Sequence, residues 1–413
     1  MFPIADEFEY DFRGCSIRYG RGRIDELGTY LAELELGDAL VVCGANVGSN
    51  DAVMDPIRAG LDERLAGVFD GSTPAKRVET AFDLLDHRDA VDADVLVAVG
   101  GGSSLDTARQ ATMLAADGRD YDQLRDDAMA GSETLGSLAP DTDPSIPVVV
   151  VPTTFAGADV SHGGSLEVLS AAESPTGQPV SVRGAGAMPI ADVADPALFE
   201  TTPRSVLAGS AMNGFNKGIE TPYAADAMPV GDATAVHGLR LLSDSLPRVA
   251  GTAAEDAASA TDTQSVPAAM DRAVVGALLV QLNRKMSIIH AFGHGFARRY
   301  DVQQGAIHAI VAPHVLRYLF SEVDASRRAL AAGLGVHVAG RDDEAIGADV
   351  VDAVTAVRDG MGLPSRLREL DPTRQSDLEA IAEFIVDDPP MVRAPDGLDA
   401  TATAIEHVLH DAW

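Results

Sequence analysis

The sequence predicts two domains, an α/β domain with a parallel sheet over residues 1–200 and an all-α domain over residues 201–413. In the first part, short apolar runs alternate with stretches of helical periodicity. After residue 200, nearly every segment instead repeats its apolar residues at helical spacing. With 413 residues and 46% hydrophobic content, the chain is long enough to bury a core in each domain.

Three buried strands are predicted in the first domain, because three short apolar runs are each bounded by glycine or proline. The runs cover residues 38–43, 94–99 and 147–152. Continuous apolar character is typical of parallel strands that are covered on both faces. Helical periodicity over 75–87 and 104–115 predicts crossover helices between these strands. We interpret residues 116–145, which are rich in Asp, Gly and Pro, as a surface excursion.

The second domain is predicted to open with a helix at Thr202 and Pro203, since threonine is a good N-cap and proline suits the first helical position. Helical periodicity then continues almost without interruption. The predicted helices cover residues 204–223, 231–247, 268–297, 306–320, 326–335, 345–360 and 400–413.

The charge composition is unusual in two respects. The net charge is −32, with acidic residues spread along the whole chain, and three lysines stand against 28 arginines. An acidic surface of this kind resembles proteins of a salt-rich cytoplasm, where dissolved ions screen self-repulsion. Attraction of a basic partner is the less favoured alternative, since no single block carries the charge. A nucleic-acid partner is excluded, because its phosphates would be repelled.

Cysteine content and hydropathy predict a protein of a reducing compartment that does not span a membrane. Cys15 and Cys43 lie far apart in apolar contexts, which predicts buried, reduced thiols rather than a metal motif. The N-terminus has neither a basic segment nor an apolar core, and no apolar run is long enough to cross a bilayer. We therefore expect a cytoplasmic protein without a membrane partner.

A phosphate-binding turn is predicted at Gly100-Gly101-Gly102-Ser103, between the second strand and a helix. Glycines allow a phosphate to approach the backbone closely, and the helix N-terminus presents free N–H groups to it. A simple tight connection is the structural alternative. Thr153 and Thr154 follow the third strand and so add hydroxyl groups at the ligand-binding edge of an open parallel sheet.

These motifs resemble the iron-containing alcohol dehydrogenase superfamily. The resemblance also rests on Asp195-Pro, on Met212-Asn213…Ile219-Glu220, and on His290-Ala-Phe-Gly-His294 followed by Ala312-Pro-His-Val315. Within the superfamily, Pro152-Thr-Thr-Phe-Ala-Gly157, Asn213 and His308 are similar to the maleylacetate reductase branch. The resemblance implies a Rossmann-like dinucleotide-binding domain, a helical domain, a cleft between them, and assembly into a homo-oligomer such as a dimer.

The resemblance also implies which residues hold the cofactor. By this resemblance, the pyrophosphate is expected to be lined by Gly100, Gly101, Gly102, Ser103 and Asp106. Thr153 and Thr154 are expected near the cofactor. Relatives commonly carry an acid after the first strand that binds the adenosine ribose and disfavours a 2′-phosphate. Gly44 takes that place here. The choice between NAD and NADP is therefore open, and NADP is plausible.

The family's metal-binding positions fall on Asn213, Lys217, His290 and Gln304. A protonated lysine cannot bind a metal, and neutral amides are weak ligands for transition metals. The sequence therefore predicts that iron or zinc is not tightly bound. Because the chain keeps only three lysines, we favour a functional lysine at this position over its structural alternative, a solvated lysine on the helix surface.

The leading hypothesis is an NAD(P)-dependent oxidoreductase that moves a hydride between the nicotinamide and a small alcohol or carbonyl compound. Lys217 would stabilise the substrate oxygen and supply a proton, with His290 or His294 replenishing that proton. Asn213 and Gln304 would hydrogen-bond the substrate. His308 is interpreted equally as a substrate contact or a core histidine, and Glu220 as structural.

Three alternatives remain open at this point. One is maleylacetate-type reduction of an unsaturated oxo-acid, for which Arg298 and Arg299 offer bidentate carboxylate binding, although surface salt bridging of these arginines is slightly favoured. A second is an NAD-using lyase or cyclising synthase of the related sugar-phosphate type. The third is a non-catalytic relative that has lost its metal ligands.

Overall fold

The computed structural model describes residues 14–131, 135–138, 146–185, 187–251 and 265–413. It comprises an α/β unit that ends at Thr202 and a helical unit from Pro203 to Trp413. The predicted fold class, a parallel α/β domain followed by a helical domain, is confirmed.

A six-stranded parallel sheet in the order β1-β8-β5-β4-β2-β3 forms the centre of the α/β unit, and β6 and β7 form a separate antiparallel hairpin. The strands are β1 Ser16–Tyr19, β2 Ala39–Val42, β3 Leu65–Phe69, β4 Val95–Gly100, β5 Val148–Pro152, β6 Gly163–Leu169, β7 Val180–Ala185 and β8 Ala191–Ala194. The three predicted strands are β2, β4 and β5. The other strands were not predicted: β1, β6, β7 and β8 contain polar residues, whereas β3 is apolar and was missed.

The helices of this unit are α1 Leu27–Glu33, α2 Ala45–Gly48, α3 Asp51–Leu61, α4 Val78–Ala90, α5 Gly102–Asp117, α6 Tyr121–Ala130 and α7 Pro196–Phe199. Within residues 116–145, which we interpret as a surface excursion, the described part contains helix α6. Asp120 and Gln123 form a reciprocal capping box at its start, which satisfies backbone N–H groups at the helix N-terminus.

The sheet is buried on both faces, as continuous apolar strands require. Leu40 and Val42 of β2 pack into one cluster with α4, α5 and the hairpin, whereas Ala39 and Val41 pack into the other with α1 and α3. Truncating Leu40 to alanine would cost about 2–5 kcal/mol of unfolding free energy. Cys43 is buried as predicted, but Cys15 is only partly buried. Both are free thiols.

The helical unit contains α8 Arg204–Glu220, α9 Pro229–Val249, α10 Val266–Gln281, α11 Ile288–Ala297, α12 Gln304–Glu322, α13 Arg327–Leu334, α14 Asp343–Gly360, α15 Leu378–Val386 and α16 Ala402–Ala412. The prediction of one helix over 268–297 is wrong. The chain leaves helical geometry between α10 and α11, where the backbone N–H of Lys285 donates to Thr221 Oγ1 at 2.9 Å. The helical periodicity of the sequence gives no information about this tertiary contact. Helix α15 was not predicted.

Among the helices described, none combines the length and apolar character needed to cross a lipid bilayer.

Candidate active site

The glycine turn lies between β4 and α5, as predicted. Gly100 has φ 130°, in the region that favours glycine, and Gly101 is the N-cap of α5. Within the described residues, no side chain caps this helix N-terminus. A Cβ on Gly101 would lie 3.3 Å from Thr154 Cγ2, so the turn is also packed against the neighbouring strand end. This arrangement leaves backbone N–H groups to bind a phosphate.

The two threonines lie beside that turn. Gly100 and Pro152 are paired in the β4–β5 register, and the backbone N–H of Thr153 donates to the Gly100 carbonyl at 3.0 Å. Thr153 is buried, and the side chain of Thr154 covers Gly101. The structure therefore brings together the two motifs that the sequence placed at the same sheet edge.

Asp106 is bound by two cations from the protein itself. Its carboxylate accepts from Lys76 Nζ at 2.9 Å and from the guanidinium of Arg109. Arg109 is fully buried, which lowers its pKa, and it also donates to the Ser161 carbonyl at 2.6 Å. Asp106 thus anchors the first turns of α5, and its role at a pyrophosphate stays a prediction. Sequence reasoning missed Lys76, for which only the rarity of lysine was a signal.

A carboxylate lies beside the short helical turn that begins at Gly44, although Gly44 itself replaces the acid. Gly44 is the N-cap of α2, and a Cβ on Gly48 in the same turn would lie 2.9 Å from Asp70 Cβ. Asp70 is exposed and directly follows β3, the strand next to β2. Burial and then Asp70 raise the pKa of Cys43 to about 11. The sequence analysis considered only the end of β2 and so overlooked Asp70.

In the helical unit, α8 and α11 bring Asn213 and His290 together. His290 Nε2 lies 3.0 Å from Asn213 Oδ1. An amide oxygen accepts only, so in this orientation Nε2 carries a proton and donates to Asn213. Asn213, Lys217 and Glu220 form one stripe along α8, at spacings of four and three residues.

Glu220 caps α11 from a different helix. Its carboxyl group accepts from the backbone N–H of His290 at 3.0 Å, and also from the N–H groups of Ser287 and Ile289. These are donors that the start of a helix otherwise leaves unpaired. Its other oxygen, Oε2, hydrogen-bonds to His290 Nδ1. Glu220 therefore fixes the position of the histidine ring.

Burial raises the pKa of Glu220 to about 8, although the three backbone donors oppose this rise. Burial also lowers the pKa of His290 well below its ordinary value, and the charge of Lys217 lowers it further. At neutral pH this favours a neutral pair in which Glu220 holds the proton towards Nδ1 and His290 Nε2 donates to Asn213. Moving one proton from Glu220 to Nδ1 would instead give an imidazolium–carboxylate pair. The group interpreted as structural thus controls the imidazole.

Lys217 is buried, with only 5% of its surface exposed. Its ammonium donates to Gln281 Oε1 at 3.3 Å, and it is close enough to lower the pKa of both His290 and His308. The alternative of a solvated lysine on the helix surface is therefore wrong. Gln281, on α10, was not singled out by the sequence.

The other two histidines have different surroundings. His294 is partly exposed, and its Nδ1 lies 2.7 Å from Asp388 Oδ2. His308 is fully buried, with its ring centroid 4.6 Å from that of His290. Within the described residues, neither ring nitrogen of His308 has a hydrogen-bond partner. Burial and then the charges of His290, His294 and Lys217 lower its pKa, so His308 is neutral.

Gln304 is the residue that the structure does not join to the others. It is the first residue of α12 and is partly exposed. In the described part of the chain, no hydrogen bond links it to Asn213, Lys217 or His290. Its substrate contact therefore stays a prediction.

Arg298 and Arg299 are exposed and already engaged. Arg299 pairs with Asp377 at 2.9 Å, and the Arg298 guanidinium lies 4.8 Å from the centroid of the Phe384 ring. This arrangement agrees with the surface alternative rather than with a carboxylate-binding pair.

Comparison with known proteins agrees with this architecture. A model described as "Iron-containing alcohol dehydrogenase" matches residues 15–194, and one described as "Fe-containing alcohol dehydrogenase family, C-terminal" matches residues 207–413. The chain therefore belongs to the iron-containing alcohol dehydrogenase family, and it is an oxidoreductase that acts on CH–OH groups.

Two relatives and one solved structure illustrate the similarity. The chain is 27% identical over 376 residues to the NAD-dependent methanol dehydrogenase of Bacillus methanolicus, covering 89% of this chain and 91% of the relative. It is 26% identical over 406 residues to the maleylacetate reductase of Rhizobium sp. strain MTP-10005, covering 98% and 97%. The alcohol dehydrogenase from Oenococcus oeni superposes with a TM-score of 0.83 at 19% identity, covering 98% of this chain and 100% of that one.

The residues at the family's metal positions do not fit an iron ion. They offer an ammonium group, two amides and one imidazole, and the Nε2 of that imidazole donates to Asn213. Within the described residues, no group of three or more His, Cys, Asp or Glu side chains is placed to hold a metal. The buried charge of Lys217 would also repel a divalent cation. The chain is thus a family member whose donor set departs from the family's metal chemistry.

Proposed function

We propose that this protein transfers a hydride between NAD and a small alcohol or carbonyl compound, and that the ammonium of Lys217 does at the substrate oxygen what iron does in relatives. The observation that carries this proposal is a buried lysine beside His290 at the family's metal positions. Bound NADH supplies the hydride.

Lys217 is suited to the oxygen of the substrate. When a carbonyl carbon accepts a hydride, negative charge develops on its oxygen, and a fixed positive charge in a water-poor environment stabilises that charge strongly. An ammonium can also give up a proton, which turns the nascent alkoxide into the alcohol. In the reverse direction, the neutral amine accepts the hydroxyl proton as the hydride leaves the carbon.

Asn213, His290 and Glu220 act around that lysine. The amide of Asn213 is held by His290 Nε2, and His290 is held by Glu220. Because Glu220 and His290 can share one proton between Oε2 and Nδ1, the pair can redistribute charge, at constant net charge, when the lysine changes protonation. We assign Glu220 and His290 as positioning residues and Lys217 as the catalytic residue.

NAD is the proposed cofactor, although loss of the acid at Gly44 makes NADP plausible from the sequence. The carboxylate of Asp70 lies beside the Gly44–Gly48 turn and would repel a 2′-phosphate there. The relative from Bacillus methanolicus is named as NAD-dependent, which supports the same choice.

A small neutral substrate is favoured over an unsaturated oxo-acid. The arginines that could have held a carboxylate are engaged with Asp377 and Phe384. The similarity to maleylacetate reductases is no greater in identity than the similarity to methanol dehydrogenase.

Lys217→Met tests the proposal, with Lys285→Met as the matched control. Lys285 pairs with Asp226 at 2.8 Å on the same unit and lies outside the stripe on α8. We expect Lys217→Met to lower kcat/KM at least 100-fold, since loss of one such donor costs about 2.7 kcal/mol or more of transition-state stabilisation. The control should keep wild-type activity. A loss within tenfold for Lys217→Met, or stoichiometric iron or zinc in the active wild-type enzyme, would overturn the assignment.

A further inference from the structure

A basic pocket lies in the helical unit and is lined by residues other than those assigned above. It has a volume of about 410 Å³ and is lined by His314 and Arg317 of α12, Arg358 of α14, Arg366, and Asp411 of α16. Thr355 and Ser365 add two hydroxyl groups. Three arginines against one lining carboxylate are unexpected in a chain that carries 63 acidic and 31 basic residues.

The positive charge of this pocket is only partly neutralised by the protein. Arg358 pairs with Asp359 at 2.7 Å. Arg366 donates to the backbone carbonyl of Asp411 at 2.7 Å, and Arg317 lies 3.5 Å from His314 Nδ1. Among the described residues, no carboxylate forms an ion pair with Arg317 or Arg366. The guanidinium groups of Arg317 and Arg366 therefore line the pocket without a carboxylate partner among the described residues, although carboxylates are abundant elsewhere on the chain.

The pKa of His314 is affected by this unbalanced charge. Burial lowers its pKa to about 4, and Arg317, Arg366 and Arg358 contribute to the fall, whereas Asp411 opposes it. The ring is therefore neutral at physiological pH and can donate or accept a hydrogen bond. An anion placed among the same arginines would raise its pKa again.

We propose that this pocket binds the phosphate group of a small metabolite. Arginine forks match the oxygens of a tetrahedral dianion bidentately, and the hydroxyls and the imidazole supply further hydrogen bonds. A volume of about 410 Å³ falls within the range of roughly 300–1,000 Å³ that is typical of small-ligand sites, and it exceeds what a bare phosphate ion fills. This site is independent of the hydride-transfer proposal.

Calorimetric titration tests the site with inorganic phosphate and with glycerol phosphate, in potassium chloride at constant ionic strength. Wild type should bind one equivalent of each saturably, and glycerol phosphate should bind at least as tightly as inorganic phosphate. Arg317→Gln/Arg366→Gln should weaken binding at least tenfold. The matched control is Arg272→Gln/Arg341→Gln, which removes the same charge from arginines that pair with Asp244 and Asp349 outside the pocket. It should bind like wild type.

Equal weakening in both double variants would reduce the effect to net charge and overturn the proposal, as would the absence of saturable binding to wild type. Tighter binding of malonate than of either phosphate compound would overturn the phosphate class. A measurement on the unaltered protein guards against misfolded variants. The NMR titration midpoint of His314, assigned with His314→Gln, should rise by at least one pH unit in saturating phosphate. An unchanged midpoint would contradict the proposal.

Discussion

The glycine turn of the α/β unit and the polar stripe of α8 are built on different principles. The turn consists of backbone N–H groups and the absence of side chains, and it fits the family pattern closely. The stripe consists of side chains, and at Asn213 and Lys217 it departs from that pattern while its helical scaffold persists. The comparison teaches that a site made of backbone can keep its pattern, whereas a site made of side chains can change its chemistry within the same fold.

Restoring the family's donors should produce the largest change. We expect Asn213→Asp/Lys217→His/Gln304→His to bind about one equivalent of zinc, because it supplies a carboxylate and two imidazoles besides His290. Metal content of dialysed protein is the measurement, and Asn213→Asp/Lys217→Met/Gln304→His is the control with one imidazole fewer. If the triple variant gains no metal, then the four positions on α8, α11 and the start of α12 do not converge on one ion.

Glu220 should give the protein a distinctive pH dependence. Its folded-state pKa of about 8 lies above the ordinary value of 4.5. Its contribution to stability is therefore complete below pH 4.5 and is lost as the pH rises to about 8, by at most about 1.4 kcal/mol per pH unit. Glu220→Gln mimics the protonated acid and should remove this loss. Equilibrium unfolding of both proteins between pH 5 and 8, in roughly constant salt, measures the difference. Parallel curves would show that Glu220 does not titrate in this range.

Gly101→Ala should weaken NADH binding about tenfold, which corresponds to roughly 1.4 kcal/mol. The added methyl group enters the space a phosphate needs and lies 3.3 Å from Thr154 Cγ2. Thr154→Ser in the same protein removes the contact with Cγ2. It therefore separates exclusion of the phosphate from crowding by Thr154. Fluorescence titration should show no recovery in the double variant. Full recovery would mean that crowding by Thr154, rather than exclusion of the phosphate, causes the loss.

Asp70→Asn should have the smallest effect. We expect the ratio of kcat/KM for NADPH to that for NADH to rise about three- to tenfold, because an exposed charge contributes about 1 kcal/mol or less. Asp89→Asn, at another exposed acid of the same unit, is the control. An unchanged ratio would remove Asp70 from the cofactor site.

The sequence predicted the fold class, the three central strands and the glycine turn, because each depends on local patterns of apolar residues and glycine. It did not predict the ends of α10 and α11, because a contact between Thr221 and Lys285 sets them. The interpretation of Glu220 as structural agrees with its capping of α11, but its hold on the ring of His290 was not predicted, for the same reason. Its capping of α11 joins residues 70 positions apart, although its place on the stripe with Asn213 and Lys217 was a signal in the sequence.

The capping of α11 by Glu220 has an evolutionary consequence. The side chain that orients His290 is not at any of the four metal positions, so the other three positions could mutate one at a time without displacing the imidazole. A lineage could therefore pass through intermediates with an incomplete ligand set and still fold correctly. Position 220 cannot change in this way, since an aliphatic residue there would leave three buried backbone N–H groups without a hydrogen-bond acceptor.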